Sequence, residues 1–244
     1  MNAIKGVCVL LVSLGWCVCA ADASAKEGAE CVILLHGLAR TDASMRKMEG
    51  DLKASGYRVI NVDYPSRKET IEMLAVQYID QAIERCRDSP VEKIHFVTHS
   101  MGGILIRYYL SKKPLEELGR VVMLSPPNQG SEVVDKVGKL PGFYALNGPA
   151  GQQLGTDMGS LPNQLGSVNY PVGVITGNKT INPILSLLIP GEDDGKVAVE
   201  RARLAGMSDF LVAPYTHPMI MKRDWVINQT RYFLRHGYFA KQIK

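Results

Sequence analysis

Residues 93–110, KIHFVTHSMGGILIRYYL, decide the fold. The first seven, Lys93 to His99, read as a strand, and from Met101 onward the chain reads as a helix that starts at once. Only Ser100 separates the two. A strand that becomes a helix across one residue makes a strained corner, and the corner residue is presented at the carboxyl edge of the sheet. The corner reads T-H-S-M-G, close to the G-x-S-x-G pattern of an exposed nucleophile, with Thr98 standing where the first glycine is expected. Gly102 leaves room for the helix to lie against the strand, whereas Thr98 crowds the turn. The bland alternative is an ordinary serine at a tight turn, and the flanking sequence decides between them.

Working outward, strand and helix patterns alternate. CVILLHG (31–37), YRVINVDYPS (57–66), RVVMLSPP (120–127), PVGVITG (171–177) and DFLVAPY (209–215) read as further strands. Segments 41–56, 68–86 and 224–237 read as amphipathic helices, the first with Asp42 or Ser44 as its N-cap and Gly56 past its end. Such alternation predicts an α/β fold, a mostly parallel central sheet with helices on both faces. Between 128 and 171 the periodicity breaks in a stretch rich in Gly, Pro, Asn and Gln, which predicts a small cap or lid around 131–170. No internal repeat and no second domain is visible.

The 244 residues, 46% of them hydrophobic, suit one domain with a sizeable core. The net charge of +4 is spread without a long Lys/Arg run, which argues against a nucleic-acid partner and allows a weak attraction to anionic lipid surfaces. At the amino end, Lys5 precedes the apolar stretch VCVLLVSLGWCV and then CAADASA. This is the pattern of a secretory signal cleaved near residues 20–25, leaving 26–244 as an exported chain. The alternative is an uncleaved membrane anchor, although the apolar stretch falls short of the ~20 residues of a comfortable span. Cleavage would leave two cysteines, Cys31 and Cys86, either as one disulfide or as two separate buried thiols.

With these pieces in view, the chain resembles the α/β-hydrolases of the bacterial lipase and esterase type. LLHGLART (34–41) resembles their His-Gly oxyanion loop. LSPPNQGSEVVD (124–135) resembles a Pro-His-x-Gly-Ser segment with Asn128 in the histidine's place. GEDDGKV (191–197) resembles the Asp-Gly-x-Val acid loop, and YTHPMIM (215–221) the histidine loop before the last helix. The resemblance spans about residues 31–234. It implies Ser100 as nucleophile, His217 as base and Asp194 as acid, in the chain order of that fold. It also implies backbone N–H donors from Leu38 and Met101 as the oxyanion hole. The chemistry demands these types. A serine hydroxyl needs a base to take its proton, an unperturbed imidazole titrates near pH ~6.5, and a carboxylate holds its tautomer.

Asp193 competes with Asp194 for the acid, with loop capping as its other role, and Asp63, after another strand, is a more distant candidate. Of the other histidines, His36 is expected to shape the oxyanion loop, His95 to sit in the core, His99 to point away at the elbow and His236 to be solvated. Arg40 steadies its loop, meets a substrate head group, or is a solvated surface residue. In the resembled fold the strand opened by Cys31 neighbours the elbow strand, and Cys86 ends the helix feeding it. A Cys31–Cys86 disulfide at the edge opposite the active site is therefore the hypothesis.

NPILSLLIPG (182–191) is either core packing or a hydrophobic lip beside an acyl pocket. No Cys/His metal cluster, phosphate loop or dinucleotide fingerprint is present, so no cofactor is implied. Some bacterial lipases of this type hold a structural Ca²⁺, for which no ligands can be mapped here. The resulting expectation is an exported, periplasmic or secreted serine hydrolase acting on lipid-like carboxylic esters. Its rivals are a thioesterase, amidase or acyltransferase using the same residues, and an inactive hydrophobic-ligand binding protein.

Overall fold

A strand buried on both faces must be apolar throughout, and this is how the central strands read. The computed structural model describes residues 29–240; the expected signal segment, 1–25, lies outside the described residues. The chain runs β1 (Glu30–Leu35), a 3-10 turn (Asp42–Met45), α1 (Arg46–Ala54) and β2 (Arg58–Val62). Next, α2 (Ile71–Leu74) passes through a π-helical stretch (Ala75–Ile79) into α3 (Asp80–Arg87). Then come β3 (Lys93–His99), α4 (Met101–Lys112), β4 (Leu118–Leu124), α5 (Glu132–Val137), α6 (Phe143–Gln152) and α7 (Leu161–Gln164). The described chain closes with β5 (Val172–Gly177), α8 (Pro183–Ser186), β6 (Asp209–Ala213) and α9 (Asp224–His236). Neither Asp42 nor Ser44 caps α1. Met45 precedes it without a side-chain cap, because the 3-10 turn leads straight into the helix and the Ser44 hydroxyl donates to the Thr41 carbonyl instead.

The six strands form one sheet in the order β2-β1-β3-β4-β5-β6, and every described pair is parallel. Alternation along β1 splits the core in two. Cys31, Ile33 and Leu35 join Ile104 and Leu105 of α4 on one face. Val32 and Leu34 join Met48 and Leu52 of α1 and Phe233 and Leu234 of α9 on the other. The chain leaves β1 towards β2 and then returns to the other side of β1 as β3. A crevice therefore opens between the carboxyl ends of β1 and β3, the place where open α/β sheets bind ligands. The residues that follow these two strands are His36–Leu38 and Ser100.

Close packing at that point depends on small residues. A Cβ on Gly102 would lie 2.6 Å from the Leu35 carbonyl oxygen, so only glycine lets α4 start this near β1. Thr98, at the elbow position where glycine was expected, is fully buried and packs beside Gly103, whose added Cβ would come within 3.1 Å of Pro126 and 3.4 Å of the Thr98 hydroxyl. At the amino edge, Cys31 pairs in register with Ile94 at the start of β3 and is joined to Cys86 by a disulfide, Cα–Cα 5.8 Å.

The 128–171 stretch is more helical than its broken periodicity suggested. It carries α5, α6 and α7, but Gly148 (φ 65°) followed by Pro149 kinks α6 and hides its period from the sequence. A Cβ on Gly148 would overlap the Arg67 carbonyl, so α6 is seated directly on the loop after β2.

Candidate active site

Ser100 holds φ 53° and ψ −123°, a backbone region that a side-chain-bearing residue adopts only at a cost of ~1–3 kcal/mol. The Ser100 N–H donates to the Leu124 carbonyl at 2.8 Å, which ties the corner to β4. His217 lies in the loop after β6 and donates its backbone N–H to the Asp194 carbonyl at 2.9 Å. Its Nδ1 is 2.8 Å from Asp194 Oδ2 and its Nε2 is 3.0 Å from Ser100 Oγ. A carboxylate only accepts, so Nδ1 carries the proton and Nε2 is left to accept the serine hydroxyl. Asp194 is fully buried, and its other oxygen, Oδ1, accepts the N–H groups of Lys196 at 3.0 Å and Val197 at 2.9 Å.

The two rival carboxylates go elsewhere. Asp193 Oδ1 accepts from the Gly195 N–H at 2.7 Å, and Oδ2 accepts the Ser186 hydroxyl, so Asp193 caps the acid loop. Asp63 lies with its side chain 63% exposed, 3.6 Å from His36 Nε2, and among its contacts none is with His217.

The structure separates the remaining histidines. His36 stacks on Tyr64 with ring centroids 4.0 Å apart, bonds Gly37 O through Nδ1 at 2.8 Å, and has its pKa lowered by burial. The Tyr64 hydroxyl donates to the His36 carbonyl. His36 thus shapes the loop that carries Leu38 and Ala39, where Ala39 takes φ 55° and donates its N–H to Ser66 Oγ at 3.0 Å. His95 is buried in β3 and accepts the Arg120 N–H through Nδ1 at 2.8 Å. His236 is exposed at the end of α9.

His99 has a part the sequence did not reveal. It is buried, and its Nε2 lies 3.0 Å from the His217 carbonyl. A carbonyl only accepts, so Nε2 carries the proton and Nδ1 faces Gly37, where an added Cβ would come within 2.8 Å of it. Burial, then the neighbouring charge of His217, holds the His99 pKa well below the ordinary histidine value, so this ring stays neutral. Arg107 is a second such residue. From within α4 it reaches the carbonyls of Asn128 (2.8 Å), Pro162 (3.0 Å) and Gly166 (2.8 Å), and thereby ties the cap segment to α4. A buried arginine inside an apolar helix was its signal in the sequence. Asn128, in the place of the resembled histidine, donates to the Ala202 carbonyl at 2.9 Å and is structural.

Ser100 and His217 open into a cavity of about 250 Å³. Val133, Val134, Val137, Phe143, Leu154 and Leu185 supply an apolar wall, and Leu38, Arg40 and Lys196 also line it. Met101 is buried in the first turn of α4, directly after Ser100. The 182–191 segment divides its residues: Leu185 faces the cavity, Ile189 is buried, and Ile184 and Leu187 are 74% and 86% exposed. Among the described residues no cluster of three or more His, Cys, Asp or Glu is arranged to hold a metal ion, and no helix is long and apolar enough to cross a membrane.

A six-stranded parallel sheet with helices on both faces and a serine at the β3–α4 corner defines the α/β-hydrolase class. The chain belongs to the alpha/beta hydrolase family, whose profile matches residues 32–237. No curated protein matches it in sequence. Among solved structures it is similar to a lipase of Bacillus licheniformis in mature form, with 19% identity and a TM-score of 0.65, over 87% of this chain and 93% of that one. It is also similar to an esterase of Pyrococcus furiosus, with 19% identity and a TM-score of 0.61, over 85% and 82% of the two chains. A monoacylglycerol lipase of Paleococcus ferrophilus matches with 18% identity and a TM-score of 0.54, over 85% and 93%. At such identities the likeness establishes the fold.

Proposed function

We propose that the protein is an exported serine hydrolase that cleaves lipid-like carboxylic esters through an acyl-enzyme. The observation that carries this reading is the position of His217, hydrogen-bonded to Ser100 Oγ on one side and to Asp194 on the other, at the end of an apolar cavity. In the proposed mechanism Nε2 takes the Ser100 proton as Oγ attacks the ester carbonyl. Asp194 fixes the tautomer and stabilises the imidazolium. The backbone N–H groups of Leu38 and Met101 receive the developing oxyanion, a contribution of about 10²–10³ in rate per donor. The imidazolium then returns its proton to the leaving alkoxide. Water, deprotonated by the same nitrogen, attacks the acyl-enzyme and frees the acid and Ser100.

The acyl chain would lie along the valine and phenylalanine wall. No cofactor takes part in this scheme. Export is supported by the signal-like amino terminus and by the Cys31–Cys86 disulfide, a bond that persists in oxidising compartments. The test is hydrolysis of p-nitrophenyl esters from short to long acyl chains by the mature protein and by Ser100→Ala. The reading expects turnover that disappears in the variant. Absence of turnover in both, with no labelling of Ser100 by a fluorophosphonate, would overturn it.

A further inference from the structure

The cavity beside Ser100 is mostly apolar; besides Ser100 and the two histidines, its polar lining is the neutral Ser131 and Asn147 and two cations, Arg40 and Lys196. They come from different loops, Arg40 from the turn after β1 and Lys196 from the acid loop, and both are exposed residues. Neither side chain has a hydrogen-bond or ion-pair partner among the described residues. Asp194, which acts on Lys196, is already committed to His217 and to two backbone amides. Both cations also act on His99, next to Ser100. Two like charges held at one cavity without counterions carry a repulsive cost that an anionic ligand would remove.

We infer that Arg40 and Lys196 form an anion subsite, so that the preferred substrate is an ester with an apolar acyl chain and an oxyanionic group, phosphate or carboxylate, on its alcohol portion. This rests on the ester-hydrolase reading of the same site. The apolar wall takes the acyl chain, which leaves the solvent-exposed cations to the alcohol side. The guanidinium offers paired donors and the ammonium a point charge, a combination suited to a tetrahedral or planar oxyanion.

The test compares two chromogenic octanoate esters, one of 3-hydroxy-4-nitrobenzoic acid, which carries a carboxylate, and one of 2-nitrophenol, which does not. A second pair, 1-octanoylglycerol 3-phosphate against 1-octanoylglycerol, asks the same of phosphate and shows which oxyanion the subsite prefers. In the wild type, KM for the charged member of at least one pair should be lower by about tenfold, the scale of one charge-assisted hydrogen bond. Arg40→Gln/Lys196→Gln should erase that difference through KM rather than kcat, and Arg40→Lys/Lys196→Arg should restore it. Equal KM values within both pairs in the wild type, or a preference that survives the double glutamine variant, would overturn the inference.

Binding of octyl phosphate to Ser100→Ala, followed by calorimetry, does not depend on turnover. If no ester is hydrolysed, the functional reading fails. Saturable binding that is lost on adding Arg40→Gln/Lys196→Gln would then still support the subsite, and absence of binding would refute it.

Discussion

Replacing Asp194 by asparagine should disable the site through the tautomer of His217 rather than through its position. The Oδ1 position of Asp194 accepts two backbone N–H groups, from Lys196 at 3.0 Å and Val197 at 2.9 Å. An asparagine must put its carbonyl oxygen there, because an NH₂ group facing two donors would leave three buried donors unpaired. Its NH₂ then faces His217 Nδ1, which has to accept, and the ring proton moves to Nε2. A protonated Nε2 pointing at Ser100 Oγ, 3.0 Å away, cannot take the hydroxyl proton. The expected loss in kcat is about 10⁴-fold, the scale seen when a triad carboxylate is made an amide, or about 5.4 kcal/mol at 1.36 kcal/mol per tenfold.

Asp193→Asn provides the contrast. Its Oδ1 would keep the Gly195 N–H, and the Ser186 hydroxyl can rotate to accept from the new NH₂. Activity should stay within about tenfold of wild type. Initial rates on the best p-nitrophenyl ester, with circular dichroism to check folding, decide the matter. A folded Asp194→Asn that retains a tenth of wild-type kcat, or a larger loss in Asp193→Asn, would refute the assignment of Asp194 as the partner of His217.

Three further outcomes are expected. His99→Phe keeps a ring but removes the donor to the His217 carbonyl, so kcat should fall by up to about 10²-fold with little change in KM; unchanged kcat would show that the His217 loop holds itself. Replacing both Cys31 and Cys86 by alanine releases a bridge across 55 residues, and urea unfolding should show a loss of about 4 kcal/mol, while the activity of the folded variant persists because the bridge lies at the far edge of the sheet. Stability should decline as pH falls below the unfolded histidine value of about 6.5. His36 and His99 have lowered folded pKa values, so there the unfolded state binds protons that the native state refuses, at up to about 1.4 kcal/mol per pH unit for each ring. A urea midpoint that does not move between pH 7 and pH 5.5 would contradict this.

Much of the fold was legible in local pattern. Central strands such as β1 read as apolar runs because they are buried on both faces, and the strand–serine–helix corner was visible because only one residue separates strand from helix. The cap was less legible. Gly148 and Pro149 interrupt the helical period of α6, and what holds this region down is tertiary, through Arg107 to Asn128, Pro162 and Gly166. Between Asp193 and Asp194 the resembled motif favoured Asp194, but nothing in local pattern separated the two. Adjacent residues differ in direction rather than position, and only the turn at Gly195 (φ 98°) and the docking of the His217 loop decide which carboxylate meets the imidazole.

By itself, then, the sequence determined the alternating α/β class, the strand–serine–helix corner and the pair of cysteines, which depend on composition and on spacing along the chain, while the roles expected of the acid and the histidine came from a resemblance to known motifs. The tertiary structure alone decided that His99 braces the His217 loop, that Asp193 caps rather than faces the histidine, and that Arg40 and Lys196 share one cavity. Each of these joins residues from separate loops that come together only when the parallel strands bring their carboxyl ends to one edge of the sheet.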